Sequence, residues 1–105
     1  MNEQKFQEIG ADFTEKFSIT SGQLFGKPCL KIQNKAFAAF FRGDMAFKLG
    51  KEAIHLQSGK YLGSENWDPS GKKRPMKDWL QVPADYQEDW PALAEAALRF
   101  VEEGL

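Results

Sequence analysis

One histidine and one cysteine stand among 105 residues, so the side chains that most often ligate metals or act as bases and nucleophiles are nearly missing. A single cysteine, Cys29, excludes an internal disulfide and any cysteine-rich zinc site, and it fits a reducing compartment. Hydrophobic runs are short as well: none approaches the ~20 residues a membrane-spanning helix needs. The opening MNEQKFQEIG has no apolar core of the signal-peptide kind, so the expectation is a cytoplasmic protein without a membrane segment. His55 lies between Ile54 and Leu56 with no second base or nucleophile near it in sequence. General acid–base work needs a positioned partner, so His55 is read as structural or solvated.

The familiar ligand loops fail on mechanism. Gly22-x-x-x-Gly26-Lys27-Pro28 is one residue short of a phosphate loop, puts Pro where a magnesium-binding hydroxyl belongs, and precedes a strand. Asn66-x-Asp68-x-Ser70-Gly71 starts like a calcium loop, but Lys77 stands where a bidentate carboxylate is required. Arg42-Gly43-Asp44 reads as a polar turn. No cofactor, metal or catalytic residue is assigned.

What remains is the material of a packed domain. Hydrophobic residues make up 42 % and aromatic residues 13 % of the chain, far from the composition of disorder, and the length suits one domain over residues 1–105. Net charge is −1, unevenly spread: residues 22–77 carry eleven basic against four acidic side chains, residues 78–105 one against seven. The middle is basic and the ends acidic, through internal complementarity or to leave a basic face for an anionic partner.

Phe6, Ile9, Phe13 and Phe17 recur at helical spacing and predict a helix over residues 2–17; Gly10 inside it implies a close approach by another element. Residues 24–49 predict three antiparallel strands with turns at Asn34-Lys35 and Gly43-Asp44, the latter a three-residue loop. That register gives a core face of Leu30, Ile32, Phe37, Ala39, Phe41, Met45, Phe47 and Leu49 against Phe6, Phe13, Leu98 and Val101. The second face receives Cys29, Ala38, Phe40 and Ala46, and awaits a helix, a strand's flank or a second subunit. A short helix follows over Lys51–Ser58, ending at Gly59. Then comes a hairpin turning at Asp68-Pro69-Ser70-Gly71, with a second strand over Arg74–Val82 and Pro75 near its start. The last helix spans Asp89–Glu103, with Pro91 in its first turn and Leu93, Ala94, Ala97, Leu98 and Val101 on one face.

Leu24-Phe25-Gly26, the LKIQNKAFAAFF hairpin, Met45-Ala46-Phe47-Lys48-Leu49 and Met76-x-x-Trp79-x-x-Val82-Pro83 before an acidic helix together resemble the TfoX amino-terminal domain and the related YjbR-like proteins. The resemblance spans nearly the whole chain and rests on packing and turn residues. It implies an α+β domain of the secretion-chaperone-like type and a regulatory or interaction role rather than catalysis. The fold expected is an antiparallel sheet of about five strands with flanking helices, in the order α-β-β-β-α-β-β-α.

The first functional reading is a non-catalytic module that binds a protein partner or forms a homodimer, with Phe40 on the second sheet face as anchor. The alternative is a nucleic-acid or other polyanion binder through residues 60–77, where Lys72, Lys73 and Arg74 would contact phosphate and Trp67 would stack on a base. A third reading is a small-molecule enzyme whose site is too dispersed to see in sequence. Cys29 is read as a small buried apolar residue, although Lys27 and Lys31 are placed to favour a thiolate.

Overall fold

The computed structural model describes residues 2–57 and 59–105. Helix α1 (Asn2–Lys16) leads into four strands, β1 (Ile19–Leu24), β2 (Lys27–Ile32), β3 (Lys35–Phe41) and β4 (Asp44–Lys48). Helix α2 (Lys51–Leu56), β5 (Glu65–Asn66), β6 (Trp79–Val82), a 3-10 segment (Ala84–Asp89) and α3 (Trp90–Glu103) follow. The α+β class and the antiparallel sheet with flanking helices agree with the expectation, with one strand more before α2. That strand is β1, whose sequence ITSGQL alternates too weakly to announce itself and which stands at the sheet edge.

Strands β1 to β4 form a meander joined by three two-residue turns, Phe25-Gly26, Gln33-Asn34 and Arg42-Gly43. Both residues of every turn have positive φ (54° and 76°, 48° and 68°, 50° and 86°), the left-handed combination whose twist suits a tight hairpin. The second turn therefore lies one residue earlier than expected. The third has two residues rather than three, so Met45 faces Phe40 and not Phe41. Strand β6 pairs with β4 and β5 with β6, giving the order β1-β2-β3-β4-β6-β5, antiparallel throughout. Pro75 lies before β6 begins, so it costs the ladder no hydrogen bond.

A bulge corrects the expected core face. Leu30 pairs with Ala38 but Lys31 with Ala36, so Phe37 is an extra residue in β3 and the alternation slips by one. Phe37 and Ala38 both join the cluster under the helices, where Phe37 stacks on Phe13 at 6.4 Å and 19°. Phe40 lies against Phe6 on this side, with ring centroids 5.6 Å apart. Ala39 and Phe41, expected in the main core, belong to the opposite face with Cys29 and Ala46. The remaining expected residues, Leu30, Ile32, Met45, Phe47 and Leu49, are buried on the helix side.

Helices α1 and α3 share that one face, burying Phe6, Ile9 and Phe13 from the first and Leu93, Ala94, Ala97, Leu98 and Val101 from the second. The α3 stripe is the expected one. The Ala-rich side of α3 does not cover the opposite sheet face: Ala94 and Ala97 are buried under the helix side while Ala92 and Ala96 are exposed. Gly10 earns its place by proximity, since a Cβ there would lie 3.3 Å from Leu30 Cδ2. Helix α2 ends at Leu56, earlier than expected; Ser58 lies outside the described residues, and Gly59 has a φ of +83°.

The opposite face is closed by the segment between β5 and β6. Cys29, Ala39 and Ala46 are small, leaving room for Trp67 and Trp79, whose rings lie 5.0 Å apart over Phe41 and its neighbours. The Trp67 backbone holds this cover in place, its N–H donating to Trp79 O at 3.1 Å and its carbonyl accepting from Met76 N at 2.9 Å. Phe47 is fully buried where the sheet meets the helices, so Phe47→Ala should cost about 3–5 kcal/mol in denaturant titration. A loss under about 1 kcal/mol would contradict this placement.

Candidate functional site

Small helix α2 stands alone on the surface, with no buried residue, and it separates two concave regions. It starts at Gly50, whose φ of +88° and whose lack of a side chain are both required: a Cβ there would sit 2.4 Å from Phe100 Cε1. The aromatic ring of α3 is thus pressed against the α2 start. On this side a groove of about 470 Å³ is lined by Leu49, Ala53, Leu56 and Phe100. A second groove of about 440 Å³ continues past Phe100 to Val101 and Leu105, with Lys35 and Lys48 at its margin.

Three large apolar side chains stand exposed along these grooves. Leu56 is 78 % exposed, Leu105 51 % and Phe100 38 %. Lys35, Lys48 and Lys51 stand around them together with Glu52, Asp78 and Glu103, so cations and anions balance on one rim. No motif in the sequence marks this surface, because Leu56 in α2 and the Phe100 to Leu105 stretch at and just past the end of α3 lie far apart along the chain.

On the other side of α2 a cleft of about 610 Å³ runs between the helix and the β5–β6 edge. Its floor includes Ile54, Tyr61 and Leu80, and Lys51, His55 and Lys77 reach it from α2 and from the loop before β6. The walls are tied down. Ser64 Oγ donates to Tyr61 O at 2.7 Å, and Asn66 Nδ2 donates to Lys77 O at 3.3 Å and Trp79 O at 3.2 Å. Tyr61 Oη donates to Asp89 Oδ2 at 3.1 Å, and its ring meets Tyr86 edge-on at 5.0 Å. Burial first, then the hydrogen bond and negative charge of Asp89, push the Tyr61 hydroxyl above its ordinary pKa, so it stays protonated. His55, read from sequence as lacking any partner, shares the cleft lining with Lys51 and Lys77.

The residues singled out in the sequence fall in several places. Phe40 is half-buried against Phe6, and its neighbours Ala38 and Ala46 are fully buried, so the second face does not present the expected anchor. Trp67 is 0 % exposed, which removes it as a stacking platform; its indole N–H is buried without an acceptor among the described residues. The aromatic ring exposed beside it is Phe25, 62 % accessible at the first hairpin tip and edge-on to Trp67 at 6.3 Å. Lys72, Lys73 and Arg74 are exposed, as expected, on a loop organised by Asp68. Its carboxylate accepts from Ser70 Oγ at 2.6 Å and from the backbone N–H of Ser70, Gly71 and Arg74 at 3.1, 3.2 and 3.0 Å.

Cys29 is buried, and desolvation pushes its thiol above the ordinary value against a smaller opposing pull from Lys31. Among the described residues no group of three or more His, Cys, Asp or Glu is placed to hold a metal ion, and no helix is long and apolar enough to cross a membrane. A scan against protein-family models finds no match, and neither does a search of curated proteins or of solved structures.

Two expectations follow from these surroundings. Cys29 in the native protein should react with a thiol reagent at pH 8 many times more slowly than in the unfolded chain; equal rates would show the thiol to be accessible. The Ser70 hydroxyl and then the backbone donors hold the Asp68 carboxyl below its ordinary range. The loop order it supplies is fully present above the unfolded value, about 3.9, and is lost as pH falls through the lower folded value. Amide resonances of Ser70, Gly71 and Arg74 should move together in that acid window, and Asp68→Ala should remove the transition.

Proposed function

We propose that this domain is a non-catalytic interaction module that self-associates through the apolar grooves at the α2–α3 end. The observation that carries the reading is the grouping of exposed Leu56, Phe100 and Leu105 on one rim with balanced charge. A two-fold interface brings the same patch together twice, so it must be self-complementary. Lys35, Lys48 and Lys51 beside Glu52, Asp78 and Glu103 suit that requirement, since the rim carries three cations and three anions. A strongly acidic or basic partner would leave half of this rim unmatched. The apolar centre supplies affinity and the charged rim supplies register.

Membership of the TfoX amino-terminal and YjbR-like group belongs to the same proposal. The α+β architecture with its run of antiparallel hairpins supports it, as do the sequence features that prompted it. The competing reading, a polyanion binder through residues 60–77, is favoured by one observation: Asp68 holds Lys72, Lys73 and Arg74 out on an ordered loop. Against it stand the buried Trp67 and the net charge of −1. Phosphate binding would weaken steeply with salt, whereas apolar self-association would not.

Light scattering over a range of protein concentrations should find a species of twice the 11.9 kDa chain mass at high concentration. Leu56→Glu and Leu105→Glu, both at exposed positions, should return it to monomer with an unchanged circular dichroism spectrum. A species of 11.9 kDa at every concentration would remove the self-association reading.

A further inference from the structure

We propose that the cleft between α2 and the β5–β6 edge binds a small organic anion, its charged group held by Lys51, His55 and Lys77 and its apolar body laid on Ile54 and Leu80. The cleft volume of about 610 Å³ falls within the range of small-molecule sites, which are concave, largely pre-formed and supplied with a few convergent polar groups.

Charge selects the ligand. Three basic side chains converge on the cleft from two separate elements, against a single carboxylate, Glu65. Neither Lys51 nor Lys77 is engaged in an ion pair among the described residues, where such pairs join Lys16 to Asp12 and Arg99 to Glu95 and Glu102. Both ammonium groups keep their donors for a ligand. The polar groups around them are not so disposed: Ser64 and Asn66 direct their donors to backbone carbonyls and so hold the wall in shape. A concave, positively charged site concentrates anions, and a pre-formed wall spares the ligand the cost of ordering it.

Composition of the floor selects the rest. Ile54, Tyr61 and Leu80 present hydrocarbon, and the Tyr61 hydroxyl is committed to Asp89. A bare inorganic anion would leave that surface wet, whereas a carboxylate or phosphate monoester with a flat apolar group would cover it. The two head groups share one chemistry, a compact anion, and differ in charge and geometry. Lysines act as point charges and accept either.

The test is a two-dimensional NMR titration of the full chain with phenyl phosphate, benzoate, inorganic phosphate and, as a cationic control, benzylamine. The expected result is a saturable shift of amides in residues 51–57, 61–66 and 77–80 with at least one organic anion below about 10 mM, and none with benzylamine. The stronger of the two organic anions identifies the head group. Lys77→Ala and His55→Ala, which touch neither end groove, should weaken binding at least fivefold each with an unchanged melting temperature, and Glu65→Gln should tighten it. Absence of a saturable shift, shifts centred on Lys72 to Arg74, or unchanged affinity in both alanine variants would overturn the proposal. Inorganic phosphate binding as tightly as phenyl phosphate would overturn its apolar half. Lys51 borders both surfaces, but His55 and Lys77 line the cleft and neither end groove, so loss of affinity in their alanine variants separates this proposal from the self-association reading, whose failure would leave it intact.

Discussion

Strand β3 must serve two cores at once, and the bulge at Phe37 is how it does so. A regular strand of KAFAAFF would send Phe37, Ala39 and Phe41 to one side and Ala36, Ala38 and Phe40 to the other. With Phe37 extra, the helix side receives Phe37, Ala38 and Phe40, while Ala39 and Phe41 go to the tryptophan side. Phe37 and Phe40 then lie where α1 and α3 can cover them, and Ala39 lies where Trp67 and Trp79 need space, with Phe41 against the Trp67 ring. Cys29, Ala39 and Ala46 stand in register across three strands, which makes a shallow bed for the indoles. Without the slip, Phe37 would lie on the tryptophan side with Ala39 and Phe41 and would lose its stacking on Phe13.

The two-sided sheet explains why the concave surfaces beside α2 lie at its end and not on either face. One face is sealed by helices and the other by the loop from Trp67 to Asp78, which leaves the margins as the accessible concave regions. Helix α2 occupies one margin and contributes to both regions, Ala53 and Leu56 to the apolar groove and Ile54 and His55 to the cleft. Lys51 borders both. A helix with no buried residue, fixed at its start by the fit of Phe100 over Gly50, is a short bridge between two surfaces.

Helix stripes were legible in the sequence because period 3.6 tolerates no ambiguity over four turns: Leu93, Ala94, Ala97, Leu98 and Val101 point one way whatever surrounds them. The sheet was less legible, for local reasons. A bulge leaves no mark in an apolar strand whose residues suit either face, and KAFAAFF is such a strand. Its turns were obscured because Phe25, Gln33 and Arg42 occupy left-handed positions where Gly, Asn or Asp are the usual residues. Strand β1 hides behind polar residues and Gly22. The cleft was illegible for a different cause: its lining runs from Lys51 to Leu80 and converges only because the short β5 folds back onto β6. His55 looked solitary because Lys77, which shares the cleft with it, is distant along the chain.

Placement of α1 and α3 on the same sheet face bears on how the chain assembles. The meander from Ile19 to Lys48 is built from neighbouring strands and tight turns, contacts that close quickly. Its greasy side, with Phe37, Met45 and Phe47, is roofed in part by a helix that begins only at Trp90. During synthesis the sheet can therefore form while half of its roof is still unmade, and a polypeptide halted before Trp90 would carry a finished sheet with an uncovered apolar side. Such a species would leave its apolar side open to aggregation or chaperone capture until the fourteen residues of α3 dock over it.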